Sequence, residues 1–198
     1  LNNLGTVADS LGDLTASRDF YQESLVICRE MNYSFGMAVL LNNLGVVTER
    51  LEDYPSAHYY YMEGLRISQE IGDRRGSAHC LANRVFTAIK LNKIDLAHES
   101  LRQAALIVQL IDTQYIMPHV LMGVAALRLH YDKVEASAAL LGLLLNLPDL
   151  DSDFMTLRFQ PMHAILKAKL GDDALETAFA RGRELQLDQV LIDILDEI

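Results

Sequence analysis

The chain has 198 residues, 51% of them hydrophobic and dispersed, which is enough for one domain or one repeat array with a small terminal unit and too much for a disordered chain. A formal net charge of −10 with no basic run argues against direct nucleic-acid binding and against an anionic membrane surface. Four prolines and eleven glycines punctuate the chain sparsely, as in a helical rather than an all-β protein.

In chain order, the predicted elements are helix pairs. Leu1-Asn2-Asn3-Leu4-Gly5 opens the first helix, inside a helical pattern and without a Met, so the expectation is a piece of a longer protein. Asp13 lies in a tight turn, a second helix follows, and Asn32 to Gly36 is a connector. Leu41-Asn42-Asn43-Leu44-Gly45 repeats the opening letter for letter on a helix predicted over Met37 to Leu51. After the turn at Asp53, the partner helix is predicted over Pro55 to Ile71. Pro55 suits a helix start, where its missing N–H would be unpaired anyway, and Gly72 suits the left-handed residue that ends one. The connector Gly72 to Gly76 leads to Leu81-Ala82-Asn83-Arg84-Val85, on a helix predicted over Ser77 to Leu91, and Asn92 to Asp95 makes the next turn. After the connector Asp112 to Pro118 comes a decayed fourth copy, Leu121-Met122-Gly123-Val124-Ala125. The spacing is 40 residues each time.

The second half of each unit keeps the same register. Ser17, Ala57, Ala97 and Ser137 are small; Tyr21, Tyr61, Leu101 and Leu141 follow four places later; then come Ser24, Gly64, Ala104 and Leu144. Small residues at fixed points let two helices approach, and the large residue fills the gap beside them. Leu4, Leu44, Leu25, Leu65, Ala57 and Ala97 are the expected core. Cys28 and Cys80 sit in apolar helical patterns and read as buried thiols. Ala138 to Leu145, the longest apolar run, is too short to span a bilayer.

Leu-x-x-Leu-Gly, a small residue twelve places after the Gly and an aromatic four later resemble the tetratricopeptide repeat. The 40-residue period is similar to the variant of kinesin light chains, Leu-Gly-Asn-repeat polarity proteins and many large bacterial regulators. Glu70-Ile71-Gly72-Asp73-Arg74-Arg75-Gly76 before a Leu-x-Asn helix resembles the C-terminal repeat region of bacterial LuxR-type and signal-transduction ATPase transcriptional regulators. Ala136 to Gly142, Leu170 to Leu175 and Ala178 to Leu185 resemble that family's closing segments. The resemblance implies an all-α, right-handed superhelical solenoid of antiparallel helix pairs. Residues 1–150 would be repeats, divided at about 1–36, 37–76, 77–116 and 117–150. Residues 151–198 would form a C-terminal helical cap, with Phe159, Ile165, Leu166, Leu170, Phe179 and Leu191 on its inner face. Eight paired helices, two or three more after Asp153, and no strand are expected.

The sequence holds no catalytic, cofactor-binding or metal-binding constellation. His58, His79, His98, His119, His130 and His163 are scattered, and no pair is spaced for a metal on one helix. Asp149-x-Asp151-x-Asp153 opens like a calcium loop, but Phe154 stands where Gly is needed and Gln160 where a bidentate Glu is needed. Asn3, Asn43 and Asn83 share one position of the first helix of each unit, and Ser10, Arg50 and Lys90 lie seven residues on, on the same face. The resemblance places this stripe in the concave groove. There Asn3, Asn43, Asn83, Arg50 and Lys90 would hold the backbone of a peptide or partner domain, or each Asn would bond a neighbouring helix and meet no ligand. In Tyr59-Tyr60-Tyr61, Tyr61 packs inside and Tyr59 or Tyr60 faces outward.

The function expected is a non-enzymatic interaction or signal-relay module of a larger bacterial cytoplasmic regulator. It would bind a protein or peptide, the parent's own upstream domain among them, without cofactor, nucleic acid or membrane. Self-association through the N-terminal end is a further option. The alternative is a small-molecule effector sensor or helical enzyme with a pocket between the last repeat and the C-terminal helices.

Overall fold

The computed structural model describes residues 1–111, 115–147, 150 and 154–197. Among them it is all-helical, without strand. The helices are α1 (Asn2–Ser10), α2 (Leu14–Glu30), α3 (Ser34–Arg50), α4 (Tyr54–Glu70), α5 (Arg74–Lys90), α6 (Ile94–Ile111), α7 (Met117–His130) and α8 (Val134–Leu144). A π-helical turn over Met155–Phe159 runs into α9 (Gln160–Leu170), followed by α10 (Asp172–Arg183) and α11 (Leu187–Glu197). Asp149, Asp151 and Asp153, and the first three residues of the connector from Asp112, lie outside the described residues.

The helices come in a finer rhythm than the 40-residue repeat. α2, α3, α4 and α5 are each 17 residues long and begin 20 positions apart, at Leu14, Ser34, Tyr54 and Arg74. Each is closed by one residue in the left-handed region. Gly12, Asn32, Glu52, Gly72, Asn92 and Asp132 all have φ between 53° and 80°. At every one of these turns the following residue's N–H reaches back to close the helix end. Asp13 N–H donates to Ala8 C=O, Tyr33 to Cys28, Asp53 to Thr48 and Asp73 to Ser68, at 2.8–3.0 Å. This is the Schellman closure, which satisfies carbonyls left over at a helix end. Asp13, Asp53 and Asp73 then cap the next helix by accepting from the N–H of Ala16, Ser56 and Gly76.

The expected connectors are therefore shorter than the sequence suggested. α3 and α5 begin at Ser34 and Arg74, so Gly36 and Gly76 belong to first helical turns. The links from the first repeat to the second (Met31 to Tyr33) and from the second to the third (Ile71 to Asp73) are the same three-residue turn as those inside a repeat.

Two compact units are present, Leu1–Ser100 and Leu101–Ile198. In the first, sequential helices pack in antiparallel pairs around Tyr21, Leu25, Leu41, Leu44, Val47 and Ile67. The Leu-Gly of the repeat meets its aromatic directly. A Cβ placed on Gly5 would stand 2.5 Å from the Tyr21 ring, and one on Gly45 would overlap Tyr61 in the same way. The two positions vary together: where the ring becomes Leu101 or Leu141, the glycine becomes Val85 or Ala125.

Of the expected core, Leu44, Leu25, Leu65, Ala57 and Ala97 are buried, but Leu4 is 51% exposed. Its counterpart Leu44 is roofed by α2; α1 has no described helix in the matching place.

In the second unit, α7 and α8 form a pair in which Ser137 Oγ donates to Ala125 C=O at 2.8 Å. α8 is covered by α10 and α9. The contact with α10 is backbone against backbone: a Cβ on Gly142 would strike the main chain of Phe179, and one on Gly182 that of Ala139. Phe159, Leu166, Phe179 and Leu191 are buried as expected, whereas Ile165 is exposed. α9 buries Met162 and Leu166, one turn apart, and Ile165, about 100° round the helix from Leu166, lies at the edge of that stripe and stays exposed.

Candidate functional site

The first helices of successive units, α1, α3 and α5, are neighbours in the first unit, and their side chains are joined in a fixed pattern. Asn43 Nδ2 donates to Asn2 Oδ1 at 3.4 Å, and Asn83 Nδ2 donates to Asn42 Oδ1 at 3.1 Å. The Arg50 guanidinium pairs with the Asp9 carboxylate. All three contacts span 41 residues, one repeat plus one position. The doubled Asn of Leu-Asn-Asn-Leu-Gly is thus a two-part clasp, the first Asn accepting from the second Asn of the next unit.

The predicted site residues are accordingly placed as follows. Asn3 is exposed, Asn43 half-buried and Asn83 buried. Asn43 and Asn83 each bond a neighbouring helix, with Oδ1 of Asn43 and its second N–H left over for other partners. Arg50 is half-buried on Asp9. Lys90 is exposed, with Nζ 5.9 Å from the Tyr54 ring centroid. The structure therefore joins Asn43 to Asn2 and Asn83 to Asn42; it does not bring Asn3, Asn43 and Asn83 together as one cluster.

Sequence reasoning missed Phe35 and Val39 on this face. Phe35 and Val39 are exposed and stand at i−8 and i−4 from Asn43, with half-buried Val46 and Arg50 continuing the stripe. The signal was present in that spacing, but Phe35 fell in a stretch read as connector. On the partner helices, Tyr59 is exposed, Tyr60 half-buried against it edge-on, and Tyr61 fully buried. Tyr61 O–H donates to Glu49 Oε2 at 3.0 Å.

A polar substitution marks the third unit. Arg84 occupies the slot of Leu44, is buried, and donates from Nε to Ser100 Oγ at 2.9 Å. Burial lowers its pKa, opposed by Glu99. Burial, with Lys93 and Arg84 nearby, also lowers the pKa of His58, whose buried Nδ1 has no partner among the described residues. Cys28 and Cys80 are both free thiols, Cys28 half-buried and Cys80 buried. Burial, assisted by Asp73, pushes the Cys80 thiol up to about 12, which makes it inert as a nucleophile. Among the described residues, no group of three His, Cys, Asp or Glu side chains could hold a metal ion. No described helix is long and apolar enough to cross a membrane.

Residues 1–70 match the family model of the tetratricopeptide repeat. No curated protein matches the chain. The matched segment carries Asn3, Asn43, Arg50, Phe35 and Val39. Asn83 and Lys90 lie beyond it, in a third copy of the same pattern.

Proposed function

We propose that the chain is a non-enzymatic protein-interaction or signal-relay module of a larger bacterial regulator, and that the α1–α3–α5 face of its first unit binds a peptide or partner segment. The observation that carries this is the stripe on α3: exposed Phe35 and Val39 run into half-buried Asn43 and Arg50, with Asn3 and Lys90 on the flanking helices. Apolar side chains for a partner's anchors, beside carboxamides and cations for its backbone and carboxylates, are the composition of a recognition surface. The similarity of residues 1–70 to the tetratricopeptide repeat, a family of protein-binding scaffolds, supports the same reading.

The test selects binding peptides from a display library against the whole chain and titrates them against variants. Val39→Asp and Phe35→Ser change exposed side chains, so helical content and melting are expected to hold. Burial of such an anchor is worth about 1.5–3 kcal/mol, or roughly 10- to 150-fold in Kd. Tyr59→Ser, on a partner helix, is expected to leave Kd unchanged. Binding that survives both α3 changes and falls with Tyr59→Ser would refute the proposal.

A further inference from the structure

Leu4, Leu44 and Val124 stand at one position of their repeats, and Arg84 stands there in the third. Leu44 is fully buried, and Arg84 is only 9% exposed. The hydrogen bond that Arg84 makes among the described residues runs from Nε to Ser100 Oγ, and that hydroxyl donates in turn to Leu96 C=O. Glu99 acts on Arg84 by charge, without a hydrogen bond. The Nη fork is thus left without a bonding partner. Neither Nη atom is among the sealed polar atoms that lack one, so the fork keeps contact with solvent. A guanidinium drawn out of water with its fork unmatched is costly, and a leucine fits the same slot.

A second change adds positive charge at the same place. Asp13 and Asp53 cap the helices that follow them by accepting from the N–H of Ala16 and Ser56. Lys93 holds that position before α6, and an ammonium has no acceptor to offer. Lys133 repeats the loss in the fourth copy, but there Val124 takes the arginine's place. His58 approaches from α4. Lys90 Nζ stands over the Tyr54 ring, and a Cβ on Gly64 would touch Cys80 Sγ, so α4 and α5 run antiparallel with His58 within about one turn of Arg84 along the axis. Burial lowers the His58 pKa, and Lys93 and Arg84 lower it further, as three groups sharing one field must. The ring is half-buried, with Nδ1 sealed and without a partner, so the neutral imidazole keeps its proton on Nε2 and can donate there.

We propose that Arg84, Lys93 and His58 form a binding site for a small oxyanion, a carboxylate or a phosphate, between α4, α5 and the start of α6. The Arg84 fork offers two parallel N–H donors, the geometry that matches such an anion. Ser100 fixes the plane of the guanidinium through Nε. Lys93 adds an exposed ammonium and His58 a further donor. Glu99 opposes the anion, and Arg84 with Lys93 outweighs it, in a chain whose net charge is −10. All these residues belong to the first unit. Arg84 lies about 100° round α5 from Asn83, so the site is separate from the peptide-binding stripe.

The test titrates the whole chain with sodium phosphate and, separately, with sodium acetate, at an ionic strength held constant with sodium chloride. The thermal midpoint of the helical signal and the His58 ring resonances are followed, and saturable shifts in both are expected. Arg84→Leu and Lys93→Asp each restore a residue that earlier repeats carry at that position, so both variants are expected to fold. Arg84→Leu should abolish the shifts, and Lys93→Asp should weaken the apparent Kd at least about tenfold. Saturation by phosphate alone would make the ligand a phosphate; acetate binding as tightly would make it a carboxylate. A response to neither anion beyond that of chloride overturns the proposal, and so does an unchanged Kd in either variant.

Discussion

Replacing Gly45 by Ala puts a methyl group where the Tyr61 ring already stands. The added Cβ would meet Tyr61 Cδ1 at 2.5 Å, and Tyr61 is fully buried, so the ring has no free direction in which to swing. Overpacking of this kind costs about 1–3 kcal/mol, offset by roughly 0.5–1 kcal/mol because Ala suits a helix interior better than Gly. The net expectation for Gly45→Ala is a loss of about 1–2 kcal/mol. Tyr61→Leu alone leaves a void beside the glycine and removes the hydrogen bond to Glu49, a loss of about 2–4 kcal/mol. In the double variant the methyl group fills part of the void, in keeping with the sequence register of the later repeats, where Gly and Tyr are replaced by Val and Leu or by Ala and Leu. The double variant should therefore be about 1–2 kcal/mol more stable than the sum of the single losses predicts. Urea titrations of the four proteins, followed by the helical signal, give this coupling directly. Additivity within about 0.5 kcal/mol would refute the argument that the glycine is there to seat the ring.

Other expectations concern the turns, the second unit and pH. Glu52 has φ 61°, where a side chain is strained, so Glu52→Gly should raise stability by about 0.5–1 kcal/mol; Gly72→Ala, at φ 73°, should lower it by about 1 kcal/mol. Both are read from urea midpoints, and equal signs would contradict the turn assignment. Gly182→Ala drives a Cβ into the main chain of Ala139 and should cost about 3 kcal/mol or more, visible as earlier loss of exchange protection in α8 and α10; a neutral effect would mean the two backbones do not touch. His58 has a folded-state pKa below its ordinary 6.5, so the unfolded chain takes up the proton first and folding stability falls as pH drops through 6.5 towards the lower folded value. His58→Gln should lose stability less steeply over that window, and parallel pH profiles for the two proteins would show that burial does not hold the imidazole neutral.

The 40-residue repeat was legible because helix contacts fix residue size at fixed places: Leu44 and Leu4, Tyr61 and Tyr21, Ala57 and Ser17. The 20-residue rhythm inside it was not, because the turn is made by the main chain. Gly, Asn, Glu and Asp all occupy the left-handed position, so no one letter marks every turn. The Asn row was found, yet the bonding partner of each Asn was its neighbour in the motif, one period plus one residue away. An in-register comparison of like with like could not show that offset. Leu4 and Ile165 failed for a different reason: a sequence pattern says which residues want cover, and only the neighbouring helices decide which of them receive it.

Because the turns between and within the first three repeats are alike, that stretch of the chain has a parity. Loss or gain of 40 residues would keep each helix in its own layer. A slip of 20 would join equally good turns, yet hand every Asn clasp to the layer that carries Tyr59 and Tyr60, and every tyrosine ring to a helix with no glycine to receive it. Length variation in such an array is thus free at the level of the backbone and quantised at the level of the side chains, with the doubled period as its smallest permitted step.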